Sequence, residues 1–340
     1  MTLLSSRGAK PGFRLAAFAT LFTISVVVLG AFTRLVDAGL GCPDWPLCYG
    51  HIWAPQTEEQ IAAANEAWPE IPVDLDKTWP EMVHRYLATG LGFLVLLLAG
   101  VSWKHRKKPG QPVKLAFFIL ALVILQGAFG AWTVTMKLWP QVVTAHLLGG
   151  FATFTLLWLL TIKLSGERST TMFSLNKTSL PTGLAMATLF VVIAQITLGG
   201  WTTSNYAALA CPDFPKCQTQ WWPEMDFADG FDVLQPVGPN YLGGQLDVPG
   251  RTAIHMAHRL GAIVTLIFCL WLALRLYLER FSGMATALVT ATLVQVALGI
   301  SNIIFSLPLT VAVLHNLGGA ILLAVVATIT YQLHRESHNA

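Results

Sequence analysis

Eight separate apolar stretches, each close to the length that crosses a lipid bilayer, constrain this 340-residue chain more than any other feature. A spanning helix needs about 20 predominantly apolar residues. The stretches run near 14–36, 84–103, 113–135, 143–164, 181–203, 256–278, 283–305 and 311–332. Charged residues make up 11% of the chain and hydrophobic ones 54%, whereas a soluble domain is about 25% charged. The chain therefore reads as an all-α integral membrane protein. The first stretch is too long for a signal-peptide core and no small-residue cleavage site follows it, so it reads as a retained helix. An even number of spans puts both termini on one side.

Charge placement gives the orientation. The N-terminus (Arg7, Lys10, Arg14), the second-to-third connection (Lys104, Arg106, Lys107, Lys108, Lys114), the fourth-to-fifth (Lys163, Arg168, Lys177), the sixth-to-seventh (Arg275, Arg280) and the tail (Arg335) hold 14 of the 21 Lys and Arg. Those segments are expected to be cytoplasmic. Of the 18 acids they contain only Glu167, Glu279 and Glu336, and the others gather in 37–83 and 204–254. A net charge of +3 is thus topology and gives no reason to invoke a nucleic-acid partner.

The chain is also internally repeated, a pattern to be sought before others. Glu81-Met-Val-His84-Arg85 pairs with His255-Met-Ala-His258-Arg259, and His146-Leu-Leu-Gly149-Gly150 pairs with His315-Asn-Leu-Gly318-Gly319. The hydropathy pattern puts each of His84, His146, His258 and His315 within the first turn or so of an even-numbered span, near the outer face. An ionisable side chain inside a span is costly and needs a partner. One interfacial histidine is explained by a hydrogen bond; four at repeated positions are better explained by ligation of haem iron through a neutral ring nitrogen.

The odd-numbered spans carry a second repeat. Leu29-Gly30-Ala31-Phe32-Thr33, Phe129-Gly130-Ala131-Trp132-Thr133, Leu198-Gly199-Gly200-Trp201-Thr202 and Leu298-Gly299-Ile300-Ser301-Asn302 share one outline, with Gln126, Gln195 and Gln295 four residues before three of the glycines. Such glycines admit a neighbouring helix or a flat macrocycle, and plain helix packing explains them equally well. The glutamines are candidates for cross-linking helices.

Cys42 and Cys48 have five residues between them, as do Cys211 and Cys217, and both pairs lie in outer connections. This reads as two intraloop disulfides on an oxidising side. Zinc is the rival reading, with a spacing unlike that of fingers or ribbons. Cys269, alone within a span, reads as a small core hydrophobe.

Taken together, Gly30-Ala31-Phe32-Thr33-Arg34-Leu35, the run from Gly39 to Gly50 with its Cys42-Pro43-Asp44-Trp45-Pro46-Leu47-Cys48 core, Glu81-x-x-His84-Arg85 and the four histidines resemble the haem A synthase family of cytochrome oxidase assembly proteins. The paired cysteines match its bacterial type. The resemblance implies two pseudo-symmetric four-helix bundles, placed here at 1–170 and 171–340, in the bacterial inner membrane. It further implies a haem b cofactor on His258 and His315, and the substrate haem O on His84 and His146. The activity implied is oxidation of the C8 methyl of haem O to a formyl group through a hydroxymethyl haem. The haem O-making farnesyltransferase and other cytochrome oxidase assembly factors become candidate partners, beside membrane lipid. Nothing in the resemblance bears on the long connections 50–80 and 218–250.

The two halves differ where chemistry would need them to. Glu81 lies one helical turn before His84 on the same face, and the second half has His255 there. A carboxylate at that place can act as a base or steady developing positive charge, so Glu81 is the candidate catalytic residue; pairing with Arg85 is the bland alternative. Arg34, Arg85 and Arg259 are candidates for pairing haem propionates or for an interfacial role. A dihaem b-type electron-transfer cytochrome also accounts for the four histidines, but leaves Glu81 and the duplicated cysteine loops unexplained. A membrane thiol oxidoreductase is a third reading.

Overall fold

The computed structural model describes residues 8–166 and 181–339. Arg7, Glu167, Arg168, Lys177 and the expected 170/171 domain boundary lie outside them. Among the described residues ten helices account for the regular structure: α1 (Phe13–Leu35), α2 (Glu58–Ala67), α3 (Leu75–Lys104), α4 (Val113–Thr135), α5 (Pro140–Leu164), α6 (Thr182–Ser204), α7 (Phe227–Gly230), α8 (Val248–Leu278), α9 (Ser282–Ile304) and α10 (Leu309–Asn339). Eight of them, all but α2 and α7, are long and apolar enough to cross a membrane. This is a multi-pass, all-α membrane protein. Helices suit that solvent because they satisfy their own backbone polar groups.

Helix α3 begins nine residues before the hydropathy pattern places it and α8 eight residues before. Asp74 caps α3 by accepting the Asp76 N–H at 3.0 Å, and α8 carries a proline in its first turn, a position where the missing N–H costs nothing. Asp76, Lys77 and Glu81 hide the start of α3 from a hydropathy window. His84 and His258 are therefore more than two turns into their helices, which corrects the first-turn expectation. His146 and His315 lie nearer the starts of α5 and α10.

The helices pack as two closed cycles. In one, α1 meets α3, α3 meets α4, α4 meets α5, and α5 returns to α1; in the other, α6, α8, α9 and α10 repeat that order. Leu91, Val95, Leu98, Ile119, Leu157 and Leu160 fill the first; Leu272, Leu276, Leu288, Val326 and Leu333 fill the second. Helices α1, α5, α6 and α10 join the cycles. Across that seam the Thr144 and Ser204 hydroxyls pair at 3.1 Å, and the Trp158 indole donates to Thr328 at 3.0 Å. Interhelical bonds of this kind average only about 0.6 kcal/mol in a membrane, so close packing carries most of the association.

The connection after α6 folds back onto the first cycle. Trp139 donates to the Gln235 carbonyl at 3.0 Å, Gln141 to that of Val233 at 2.9 Å, and the Tyr241 N–H to Lys137 at 3.0 Å. These contacts fix the mutual position of the helix ends that carry the repeated motifs.

Candidate functional site

The two sequence repeats meet in space. A Cβ built on Gly30 would stand 2.8 Å from Cε1 of His84, and one on Gly199 or Gly299 would stand 3.1 Å from Cε1 of His258 or His315. The corresponding distance from Gly130 to His146 is 3.5 Å. Each of the four odd-span glycines thus faces one of the four histidines. Their job is narrower than general helix packing: they make room for an imidazole.

His84 and His146 come together in the first cycle, with ring centres 6.4 Å apart and planes at 89°. His258 and His315 lie within electrostatic reach of one another in the second. The Nδ1 atoms of His84, His146 and His315 are buried without a hydrogen-bond partner. Among the described residues no group of three or more His, Cys, Asp or Glu could hold a metal ion.

The glutamines belong to the same constellation. Gln195 Nε2 lies 3.1 Å from His258 Nδ1 and donates to the His258 carbonyl at 3.0 Å. Gln295 donates to the His315 carbonyl at 3.0 Å. The amides of Gln126, Gln195 and Gln295 take up the space that a Cβ on Gly149, Gly261 or Gly318 would need. Those second glycines, three residues after each histidine, were visible in the sequence, but their purpose was not.

Beside the histidines, each cysteine loop is clamped by the helix that carries them. Disulfides join Cys42 to Cys48 and Cys211 to Cys217, and Cys269 is free and buried. Arg85 donates to the carbonyls of Asp44 at 3.1 Å and Leu47 at 2.7 Å. Arg259 does the same to Cys211, Asp213 and Lys216 at 2.7–3.0 Å. These two arginines hold loop backbone. Arg34 reaches from α1 to the Thr203 carbonyl at 2.5 Å and lies over the Tyr206 ring, 4.1 Å away.

Glu81 is 4% exposed. Its Oε2 accepts the Cys42 N–H at 2.9 Å and its Oε1 takes Arg85 Nη2 at 2.5 Å. His255 stands in for it in the second half: the Cys211 N–H lies 3.4 Å from its Nδ1, which is 2.9 Å from the Ala207 carbonyl. The two halves therefore use one loop clamp with different chemistry at a single position, a carboxylate in the first and an imidazole in the second.

The loops are themselves ordered by carboxylates. Asp44 accepts the N–H groups of Tyr49 at 2.6 Å and Gly50 at 2.9 Å; Asp213 accepts those of Gln218 and Thr219 at 2.6 and 2.9 Å. Desolvation works to raise the pKa of Asp213, but the two N–H groups and Arg259 outweigh it and hold the carboxyl below its usual range. The Tyr49 hydroxyl is pushed up to about 12, first by burial and then by the charges of Glu81, Asp44 and Asp74. It stays a neutral donor and bonds the Ile71 and Pro72 carbonyls at 3.0 and 3.2 Å.

Comparison with known proteins joins this geometry to a family. The family model described as cytochrome oxidase assembly protein matches residues 13–327. The chain belongs to that family. It is 46% identical over 318 residues to a haem A synthase of Shewanella oneidensis, covering 93% of this chain and 95% of that protein. A haem A synthase of Rhizorhabdus wittichii is 27% identical, covering 90% and 89%. One from Halalkalibacterium halodurans is 26% identical, covering 94% and 97%. For a member of this family, the duplicated histidine pairs, glycines and clamped loops fall within the matched region.

Proposed function

We propose that this protein is a haem A synthase that oxidises the C8 methyl of haem O to a formyl group through a hydroxymethyl intermediate. The observation that carries the reading is the 46% identity to the Shewanella enzyme across nearly both whole chains, in a molecule that repeats a pair of histidines in each helix cycle.

The residues fit haem. His84 and His146 bring two imidazoles to a ring-centre separation of 6.4 Å, and such a pair would hold a haem iron through neutral ring nitrogens. A pair is also the number of ligands that a porphyrin leaves to the protein. The substrate haem O is assigned to His84 and His146, and a haem b cofactor to His258 and His315. When bound, that cofactor supplies one-electron acceptance next to the substrate site.

The substrate site goes to the first half because of Glu81. Each two-electron step draws electrons from a carbon on the porphyrin edge, and fixed negative charge steadies the cation that develops. Both Glu81 oxygens already hold donors, so the carboxylate serves as a fixed charge in a site poor in water rather than as a base that swings. Each step needs an external two-electron oxidant; the first gives the hydroxymethyl group and the second a hydrate that loses water to leave the aldehyde. By the positive-inside pattern, both termini face the cytoplasm of a bacterial inner membrane and the disulfide loops lie outside.

Chromatography of the haems extracted from purified protein tests the reading. Haem O, hydroxymethyl haem or haem A beside haem B is expected. Haem B alone would point to a dihaem electron-transfer cytochrome.

A further inference from the structure

The glutamine and glycine that attend the histidines occur three times, not four. His146 has Gln126 and Gly149, His258 has Gln195 and Gly261, and His315 has Gln295 and Gly318. At the matching places around His84, four residues before Gly30 and three after the histidine, stand Val26 and Leu87. The two changes go together physically. An amide at position 26 would need the space that a side chain at 87 occupies, just as the other three amides fill the space a Cβ would take.

A group that holds the helix turn carrying a metal-ligating histidine fixes the ring's place and supports the ligand. Gln195 and Gln295 do this by donating their amide N–H to the His258 and His315 carbonyls at 3.0 Å, and the Gln126 amide packs against Gly149 on the turn after His146. Val26 has no amide with which to tie the turn that carries His84.

Resting on the haem assignment above, we propose that His84 is the exchangeable ligand of the substrate site and that Gln126, Gln195 and Gln295 are positioning residues that brace the helix turns carrying the other three histidines. An enzyme whose substrate and product are both haems must break iron–histidine bonds at every turnover, whereas its cofactor must not leave. The chain builds the two needs into one scaffold. Three ligands are buttressed, and the fourth is left free to let go while His146 keeps the substrate in register.

Transfer of haem from the purified, loaded protein to excess apomyoglobin tests this, followed by absorbance and by chromatography of what has moved. In the wild type, haem O and its oxidised products should transfer in a fast phase and haem B in a slow one. The double variant Val26→Gln with Leu87→Gly should slow the fast phase by about 10–100-fold, the usual effect of such a supporting partner on a metal site, and leave the slow phase unchanged. Gln195→Leu should accelerate the slow phase to a similar extent. Simultaneous release of both haems in the wild type overturns the proposal, as does a fast phase that the double variant leaves unchanged. Should the double variant not fold, the wild-type order of release and the Gln195→Leu rate still decide. A wild type without low-spin bis-histidine absorbance overturns the haem assignment itself, and so the two failures are distinguishable.

Discussion

Gly30 and His84 are in mutual contact across α1 and α3, with the imidazole Cε1 only 2.8 Å from where a Cβ on residue 30 would lie. That approach ranks the four glycines. Gly30→Ala must displace the ring, whereas Gly130→Ala, at 3.5 Å from His146, meets ordinary van der Waals contact. Overpacking of this kind costs about 1–3 kcal/mol. Thermal unfolding should show Gly30→Ala destabilised and its haem O-site absorbance altered, with Gly130→Ala close to wild type. Equal behaviour of the two variants would contradict the glycine-to-histidine pairing.

The cofactor assignment predicts a different pattern. Replacing His258 or His315 with alanine should remove or shift the low-spin b-type absorbance of the purified protein. His255→Asn should leave that absorbance largely intact, because His255 Nδ1 lies 2.9 Å from the Ala207 carbonyl and so belongs to the loop clamp. An unchanged spectrum in both ligand variants would sink the assignment.

Glu81→Gln separates catalysis from architecture. The amide oxygen can still accept the Cys42 N–H, so the loop should stay in place while the negative charge is lost. Removing such charge stabilisation costs about 10²-fold or more in rate. The variant should fold, keep the haem at His258 and His315, and accumulate haem O or the hydroxymethyl haem. Near-normal haem A output would reduce Glu81 to a loop anchor.

Much of this was legible in the sequence, and the parts that were not share a physical cause. Span existence follows from apolar length, so α4, α6 and α9 fall within a residue or so of their hydropathy limits. The starts of α3 and α8 escape because capping and a first-turn proline extend a helix through polar residues that no hydropathy window accepts. Likewise the four histidines, the glycine repeat and the cysteine pairs are visible as patterns along the chain. That each glycine faces a histidine, or that Arg85 and Arg259 clamp loop carbonyls, depends on which helix lies beside which. A one-dimensional repeat does not carry that information. Gln126, Gln195 and Gln295 were noticed as possible cross-links, and only the helix pairing shows that they attend the histidines.

The loop disulfides give a direct chemical check. Non-reducing peptide mass spectrometry should find Cys42 linked to Cys48 and Cys211 to Cys217, with Cys269 alkylated only after unfolding, since it is buried. Bonds between the two loops, or four free thiols in protein prepared without reductant, would contradict the clamped-loop arrangement.

Conversion of haem O to haem A is tested most directly by co-expression of this chain with a haem O synthase in a host that makes no haem A, followed by chromatography of the extracted haems. The prediction is that haem A appears with the wild-type chain and falls about 10²-fold or more with Glu81→Gln, while the protein level stays constant. Haem O persisting unchanged beside abundant, folded wild-type protein would contradict the account.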